Sequence, residues 1–309
     1  MLTAVSSPDL HLLRVFIAVT ECGGFSRAQI ALNVSQSTIS TQMADLESRL
    51  GMKLCRRGRA GFLLTDEGHK VYTAAKALFS NCEEFVGQIN MLRGEVAGEL
   101  RIAMADALLA QEDFRMDDLI TEARQRMPSV KLQLNVMEPL EIERLVLEQR
   151  LHTGIHTFPN HSPGLRYRTL FYEEQVLYCG RDHPLFKMEQ FPGVESIEEY
   201  DYAYRTYYGG TLRPGNFQPR KNSASSSNMD GIIAFILSGK FLGHLPVEYA
   251  RPWVERGQLR AILPELLSYK TRFESVSAVG TRVSRAHRIL EELISKHLSK
   301  HSEASSPSS

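Results

Sequence analysis

The sequence predicts an α+β chain of several domains, on three observations. Its 309 residues exceed what one ordinary core holds, so two or three domains are expected. Apolar residues recur at helical spacing as far as about residue 92, with one long unbroken stretch from 65 to 92. Beyond residue 99 the period changes, and short alternating runs typical of strands are interleaved with helical ones.

The head opens with a helix on which Leu10, Leu13 and Ile17, with Leu12, Phe16 and Val19 beside them, share a face. Gly23 and Gly24 end it, because glycine accepts the left-handed backbone that follows a helix. Ser26 is placed to cap a second helix carrying Ala28, Ile30, Ala31 and Leu32. After a turn at Asn33 and Val34, Ser35 caps a third helix with Ile39, Met43, Leu46 and Leu50 inward. Two short helices joined by so tight a turn are a helix-turn-helix. The third helix turns Gln36, Ser37, Thr38, Ser40, Thr41 and Gln42 outward, hydroxyl and amide groups suited to phosphates and base edges in a major groove. The alternative is a plain solvated face. From Ser48 to Thr65 stand Arg49, Lys53, Arg56, Arg57 and Arg59 with no acidic residue, around Gly58 and Gly61. This reads as a wing whose cations reach the DNA backbone, which favours the first alternative.

Thr65 can cap the long helix, with Asp66 and Glu67 near its positive end. Val71, Ala75, Leu78, Cys82, Phe85, Ile89 and Leu92 then alternate at intervals of four and three, the seam of a dimerising coiled coil. An amphipathic helix lying on its own domain would show the same pattern. Farther on, Leu100, Ile102 and Met104, and Val130, Leu132, Leu134 and Val136, alternate as strands, followed by helices over about 109–127 and 140–151. Strands over 175–179, 202–206 and 241–245 and helices over 229–238 and 247–256 continue the style. The tail, KHSEASSPSS, has nothing to bury and reads as disordered.

Composition excludes several functions. A formal net charge of zero argues against a polyanion-coating protein but permits a local basic surface. No basic leader precedes an apolar stretch and no run approaches the roughly 20 apolar residues of a membrane span, so a cytoplasmic location without membrane contact is expected. Cys22, Cys55, Cys82 and Cys179 form no C-x-x-C pair, against zinc or disulfides, and the first three read as buried thiols. His152 and His156 would meet only on a helix, whereas Gly154 and Pro159 indicate strand and loop, so these two and His161 read as structural and no metal is expected. H-E-x-x-H, G-x-S-x-G, G-x-G-x-x-G and phosphate-loop patterns are lacking, so neither an enzyme nor a cofactor is expected. An exported solute-binding protein would need a signal and has no use for the head.

The run FSRAQIALNVSQSTISTQMADLESRLGMKLCRRGRAGFLLTDEG, Phe25 to Gly68, resembles the signature of LysR-type regulators: F-[ST]-x-A-A, V-S-Q-[PS]-[AT]-[LI]-S-x-Q-I-x-x-L-E, L-G-x-x-L-F-x-R and L-T-x-x-G. It departs at Gln29, where alanine is usual, at Thr41, where arginine is frequent, and at Cys55, where phenylalanine is usual. G-x-x-H-P-L at Gly180 to Leu185 and S-G-x-x-L-G-x-L-P at Ser238 to Pro246 also match, while His152 replaces the aspartate of L-D-[LV]-[AG]-[IL]. The resemblance implies a winged helix-turn-helix DNA-binding domain over 1–64, a linker and dimerisation helix over 65–94, an effector-binding domain over 95–298 and a tail over 299–309. The effector domain would be two α/β lobes like type 2 periplasmic solute-binding proteins, lobe one over 95–161 and 267–298 and lobe two over 162–266.

By the same resemblance the chain is a transcription regulator that binds a double-stranded DNA operator, works as a homodimer and homotetramer, and responds allosterically to a small effector of unknown identity. RNA polymerase is a candidate further partner. DNA contacts would come from Arg27, Ser35, Gln36, Ser37, Thr38, Ser40, Thr41, Gln42, Lys53, Arg56, Arg57 and Arg59. The family's effector-binding Ser or Thr after the first strand aligns with Ala105 or Asp106, and Arg205, Thr206, Asn228 and Asp230 are candidates opposite. A carboxylate at Asp106 favours a cation, an amine or a hydroxyl-rich ligand, and with Arg205 a zwitterion; the alternative is a helix cap facing water.

Overall fold

The computed structural model describes residues 5–58, 61–92, 96–208, 217–280 and 284–304. They form two compact units, Met1–Val86 and Gly87–Ser309.

The first unit contains α1 (Ser7–Glu21), α2 (Phe25–Leu32), α3 (Gln36–Leu50), the antiparallel pair β1 (Cys55–Gly58) and β2 (Gly61–Leu64), and the start of α4 (Asp66–Leu92). Phe16, Val19, Ala28, Ile39, Met43, Leu46 and Leu54 make its core, each at most 2% exposed. Ser35 caps α3 as expected, its Oγ accepting from the Thr38 N–H at 3.2 Å. The cap of α2 differs from expectation. Gly24, with φ near 140°, holds that position, and Ser26 lies inside the helix. A backbone that only glycine adopts readily turns the chain so that Phe25 is buried against Phe62, ring centres 5.9 Å apart. Ile30, expected on the second helix with the apolar set, is 85% exposed.

Thr65 explains the L-T-x-x-G pattern. Its hydroxyl donates to the Lys53 carbonyl at 2.7 Å and accepts from the Gly68 N–H at 2.9 Å, tying the foot of the wing to the first turn of α4. A Cβ on Gly68 would fall 2.0 Å from the Leu54 carbonyl oxygen, so that turn can sit on the wing only with glycine there.

In the second unit the order is β3 (Ala97–Met104), α5 (Met116–Arg126), β4 (Ser129–Val136), α6 (Pro139–Leu147), β5 (Thr153–His156), β6 (Leu165–Gly180), α7 (Val194–Ile197), β7 (Asp201–Arg205), β8 (Lys221–Ser226), α8 (Met229–Leu237), β9 (Leu242–Pro246), α9 (Val247–Glu255), β10 (Leu259–Ala261), α10 (Pro264–Leu267), β11 (Tyr269–Ala278) and α11 (Arg285–Ala304). The described strands form one mixed nine-stranded sheet in the order β4-β3-β5-β11-β6-β9-β7-β8, with β10 against β6. β3, β4 and β5 are parallel at one end, and β7, β8 and β9 at the other. The long β6 and β11 run antiparallel between them. The result is two α/β lobes crossed twice by the chain.

Each lobe is covered on both faces, as parallel strands require. In lobe one, Leu100, Ile102 and Met104 of β3 meet Leu119 of α5 and Leu290, Leu293 and Ile294 of α11, while Ala103 faces Ile142 and Val146 of α6. In lobe two, Val176 and Tyr178 of β6 meet Ile232 and Ile236 of α8, and Leu177 and Cys179 face Ile197 of α7 and Leu267.

Three boundaries depart from the sequence reading. The helix expected over 109–127 begins only at Met116, after a short 3₁₀ turn at Leu108–Ala110, because Ala107 is left-handed and the following loop buries Phe114. The helix expected over 140–151 ends at Leu147, followed by left-handed Gln149. The tail expected from 299 is helical through Ala304, since 298–304 contain no glycine or proline to stop α11; 305–309 lie outside the described residues.

Candidate functional site

On the head, Gln36, Ser37, Thr38 and Thr41 of α3 are exposed, as are Arg27 of α2 and Arg56 of β1. Ser35 is also exposed, but its hydroxyl is engaged by Ser37 and Thr38, each at 2.8 Å, so it shapes the N-terminus of α3. Gln42 is a correction. Its side chain is half-buried and its amide lies 3.0 Å from His11 Nε2, so it joins α3 to α1 instead of pointing outward. Ser40 is likewise half-buried. The Arg57 side chain and all of Arg59 lie outside the described residues.

The exposed Lys53 is ion-paired with Glu47 at 2.6 Å. Glu47, which sequence reasoning missed, also accepts from the backbone N–H groups of Leu54 at 2.9 Å and Cys55 at 3.4 Å. Burial pushes its pKa up, but the bonds from Lys53, Leu54 and Cys55 outweigh that and hold it below the ordinary carboxylate value. Glu47 is therefore the brace between α3 and the wing. Glu47→Ala is expected to destabilise the head by about 1–3 kcal/mol, read from the urea midpoint of the full chain. Because the folded-state pKa is lowered, the brace holds above the ordinary carboxylate pKa and is lost as pH falls through the folded value.

The seam of α4 divides in two. Val71, Ala75 and Leu78 pack, with Tyr72 and Phe79, onto the head's own core. Farther along, Cys82 is exposed, Phe85 is 63% exposed, Val86 54% and Ile89 37%. The Leu92 side chain lies outside the described residues. The expected buried thiol at Cys82 is thus corrected, since α4 has by then left the head's core; Cys22 and Cys55 are half-buried. The histidines have separate local roles. His152 Nδ1 accepts from the Arg101 N–H at 2.9 Å, His156 Nδ1 accepts from the Thr157 N–H at 2.7 Å, and His161 meets Glu274 at 2.9 Å and stacks on Tyr167.

In the second unit a cavity lies between the lobes, lined by residues of both. Asp106 follows β3 in lobe one and Arg205 ends β7 in lobe two. Arg205 donates to both Asp106 oxygens, Nη1 at 2.8 Å and Nη2 at 2.7 Å, and its guanidinium lies 4.9 Å from the Tyr207 ring centre. Asp106 also accepts from the Met229 N–H at the start of α8. A lobe-one carboxylate thus occupies the positive end of a lobe-two helix and is clamped by a lobe-two arginine. Two exposed ties accompany this latch, Thr206 Oγ1 to Glu138 at 3.0 Å and Arg251 to Glu112 at 2.9 Å.

Ala105, Asp106 and Arg205 line the cavity as the sequence suggested. Thr206, Asn228 and Asp230 do not. Asn228 caps α8 by accepting from the Gly231 N–H at 2.8 Å, and Asp230 accepts from the Tyr249 hydroxyl at 2.6 Å. Sequence reasoning missed Glu173, Gln175, Tyr202, His244 and Thr271, which also line the cavity. No periodicity in the sequence singles out two of them: Glu173 and Gln175 share a face of β6 with buried Phe171 and Leu177, but Leu170, Val176 and Tyr178 on the alternate positions are buried as well.

Protonation states follow from the partners. His244 Nε2 faces the Leu267 carbonyl at 2.9 Å, an acceptor only, so Nε2 carries the proton and Nδ1 accepts from the Tyr202 hydroxyl at 2.8 Å. Burial brings the His244 pKa down to about 4, and burial does the same for His156, so both rings are neutral at pH 7. Glu173 moves the other way, to about 8, first through burial and then through the charge of Asp106, against a bond from Gln175 and the pull of Arg205.

A winged helix-turn-helix unit and a two-lobed α/β unit with an interlobe cavity define a class of DNA-binding regulators that carry their own ligand-binding domain. The bacterial regulatory helix-turn-helix profile of the lysR family matches residues 10–69, and the LysR substrate binding domain profile matches 93–299. The HTH-type transcriptional activator BauR of Pseudomonas aeruginosa is 39% identical over 281 residues, covering 90% of this chain and 92% of BauR. CbnR, a LysR family transcriptional regulator, shares the fold with a TM-score of 0.64 at 18% identity, over 94% of this chain and 99% of that one. Full-length CbnR in complex with its target DNA gives 0.61 at 18% identity, with the same shares of the two chains covered. The chain belongs to the LysR family of transcription regulators, and no described helix is long and apolar enough to cross a membrane.

Proposed function

We propose that this regulator reads duplex DNA with the exposed N-terminal face of α3 and the wing, and senses a small effector in the interlobe cavity. The observation that carries the reading is the Asp106–Arg205 latch inside that cavity, a charged contact between lobes that a ligand must either complement or replace. A ligand with different affinity for the latched and unlatched lobes shifts their equilibrium, and the shift is felt at the DNA through the assembly. Gln36, Thr38 and Thr41 reach bases, and Arg27 and Arg56, with Lys53 and Arg57, reach phosphates. The exposed stretch of α4, with Phe85, Val86 and Ile89, pairs with the same stretch of a second copy, and two such dimers form the tetramer. The protein works in the cytoplasm, where RNA polymerase is its further partner.

Operator protection, mapped with and without candidate amines and amino acids, tests the reading as a whole. Within it, Thr38→Ala is expected to lower discrimination between operator and a mismatched duplex by about 1–3 kcal/mol in competition titrations. Arg56→Gln should weaken binding to every sequence alike and flatten the salt slope. A Thr38→Ala protein that discriminates as well as the parent would remove α3 from the groove.

A further inference from the structure

The cavity contains a carboxyl group that the latch leaves unused. Glu173 on β6 is 8% exposed, and its Oε2 accepts from Gln175 Nε2 at 2.6 Å. Directly across the β6–β11 pairing stands Thr271, whose buried hydroxyl has no hydrogen-bond partner among the described residues. The titratable and charged groups that line the cavity with Glu173 are Asp106 after β3, Tyr202, Tyr204 and Arg205 on β7, Tyr207 beyond it, His244 on β9 and Tyr269 on β11, and His156 of β5 stacks on the lining Phe273. Of the described lining residues, Arg205 alone carries a permanent positive charge, and both its terminal nitrogens are on Asp106. The latch therefore sums to zero, both histidines are neutral, and an ionised Glu173 would stand without a counter-charge.

We infer that the cavity takes a small ligand bearing a primary ammonium group, seated on the Glu173 carboxylate with the Thr271 hydroxyl as acceptor and tyrosine rings at its sides. The inference rests on the reading of this cavity as the effector site and adds the class of effector. An ammonium ion supplies the one charge the chamber lacks, and the electron-rich faces of aromatic rings favour it further. An anionic ligand would instead have to displace Asp106 from both Arg205 and the start of α8. In the ligand-free chain burial keeps a proton on Glu173, whose pKa stands at about 8. Binding then exchanges that proton for the ligand: the Glu173 carboxylic acid and the ammonium ion give a carboxylate–ammonium pair and one proton released to solvent.

The full-length protein should be titrated with three matched series, n-alkylamines from ethylamine to pentylamine, the corresponding carboxylates and the corresponding primary amides. Calorimetry in buffers of different ionisation enthalpy counts the protons. The amines are expected to bind with release of close to one proton at pH 7, and their affinity to tighten about tenfold per pH unit between pH 6 and 7 and level off above pH 8. Glu173→Gln should remove the release and weaken amines at least tenfold, while Thr271→Val weakens them with the release intact. If Glu173→Gln does not fold, proton release by the parent protein still decides. Amines that bind without proton release, or carboxylates or amides that bind where amines do not, would overturn the ammonium assignment and leave the cavity's role standing. If no series binds, the effector reading of the cavity fails and the assignment with it.

Discussion

Asp106→Ala is expected to destabilise the second unit by about 3–5 kcal/mol, the cost of leaving a buried charge without its partner. Arg205 is 7% exposed and keeps both terminal nitrogens on Asp106, so the truncation strands a guanidinium that water reaches poorly. The Met229 N–H at the start of α8 loses its acceptor in the same step. For a unit of this size the loss corresponds to a fall of roughly 10 °C in the unfolding midpoint, measured by calorimetry on the full chain. Removing both charges, as Asp106→Ala with Arg205→Met, should recover most of it, because an apolar pair in place of a buried ion pair is often neutral or better. A single variant within about 1 kcal/mol of the parent would mean that the lobes are not latched in solution.

The latch also has a functional consequence, because it lies on the cavity wall. On the proposed reading, a ligand entering beside Asp106 would change the electrostatics of a buried tie between the lobes, while the Thr206–Glu138 and Arg251–Glu112 ties are exposed and contribute little. On that reading, sensitivity to ligand would be concentrated in this one contact. That concentration is what a two-state lobe movement needs.

Much of this was legible in the sequence wherever one local rule decides the outcome. The cap at Ser35 and the turn at Asn33 follow from local backbone chemistry and stand where expected, with Asn33 in the left-handed region, while the turn between Gly58 and Gly61 lies outside the described residues. The family resemblance points to Asp106, at the ligand position after the first strand of lobe one, and Arg205 is legible at the end of a predicted lobe-two strand. What escaped depended on tertiary context. Ser26 has the better side chain for a cap, but burying Phe25 against Phe62 moved the cap to Gly24. The regular heptad of α4 could not reveal that its first half is consumed by the head's own core while its second half is exposed. Glu173 and Glu47 each look like a surface carboxylate in sequence, and only the pairing of β6 with β11, or the return of the wing onto α3, buries them.

Glu173→Gln should accordingly stabilise the ligand-free protein, by an amount that grows from about pH 4.5 and levels off above pH 8. The folded-state pKa of about 8 lies above the ordinary value of 4.5, so the neutral form favoured by the fold contributes fully below about pH 4.5. That contribution is lost progressively as pH rises from about 4.5 through 8, because the unfolded chain ionises the carboxyl while the folded chain holds it neutral in a cavity also lined by Tyr202, Tyr269 and Phe273. Glutamine keeps the shape and never ionises. Parent and variant should therefore unfold at similar temperatures at pH 5, whereas at pH 8.5 the variant should gain about 4–5 kcal/mol, or roughly 10 °C. The remaining titratable groups are common to both proteins and cancel in the difference. A saturating alkylamine should erase the alkaline gap by supplying the missing counter-charge, which ties the stability of the empty cavity to the ligand it selects. A gap of equal size at pH 5 and pH 8.5 would show that packing, not ionisation of Glu173, separates the two proteins.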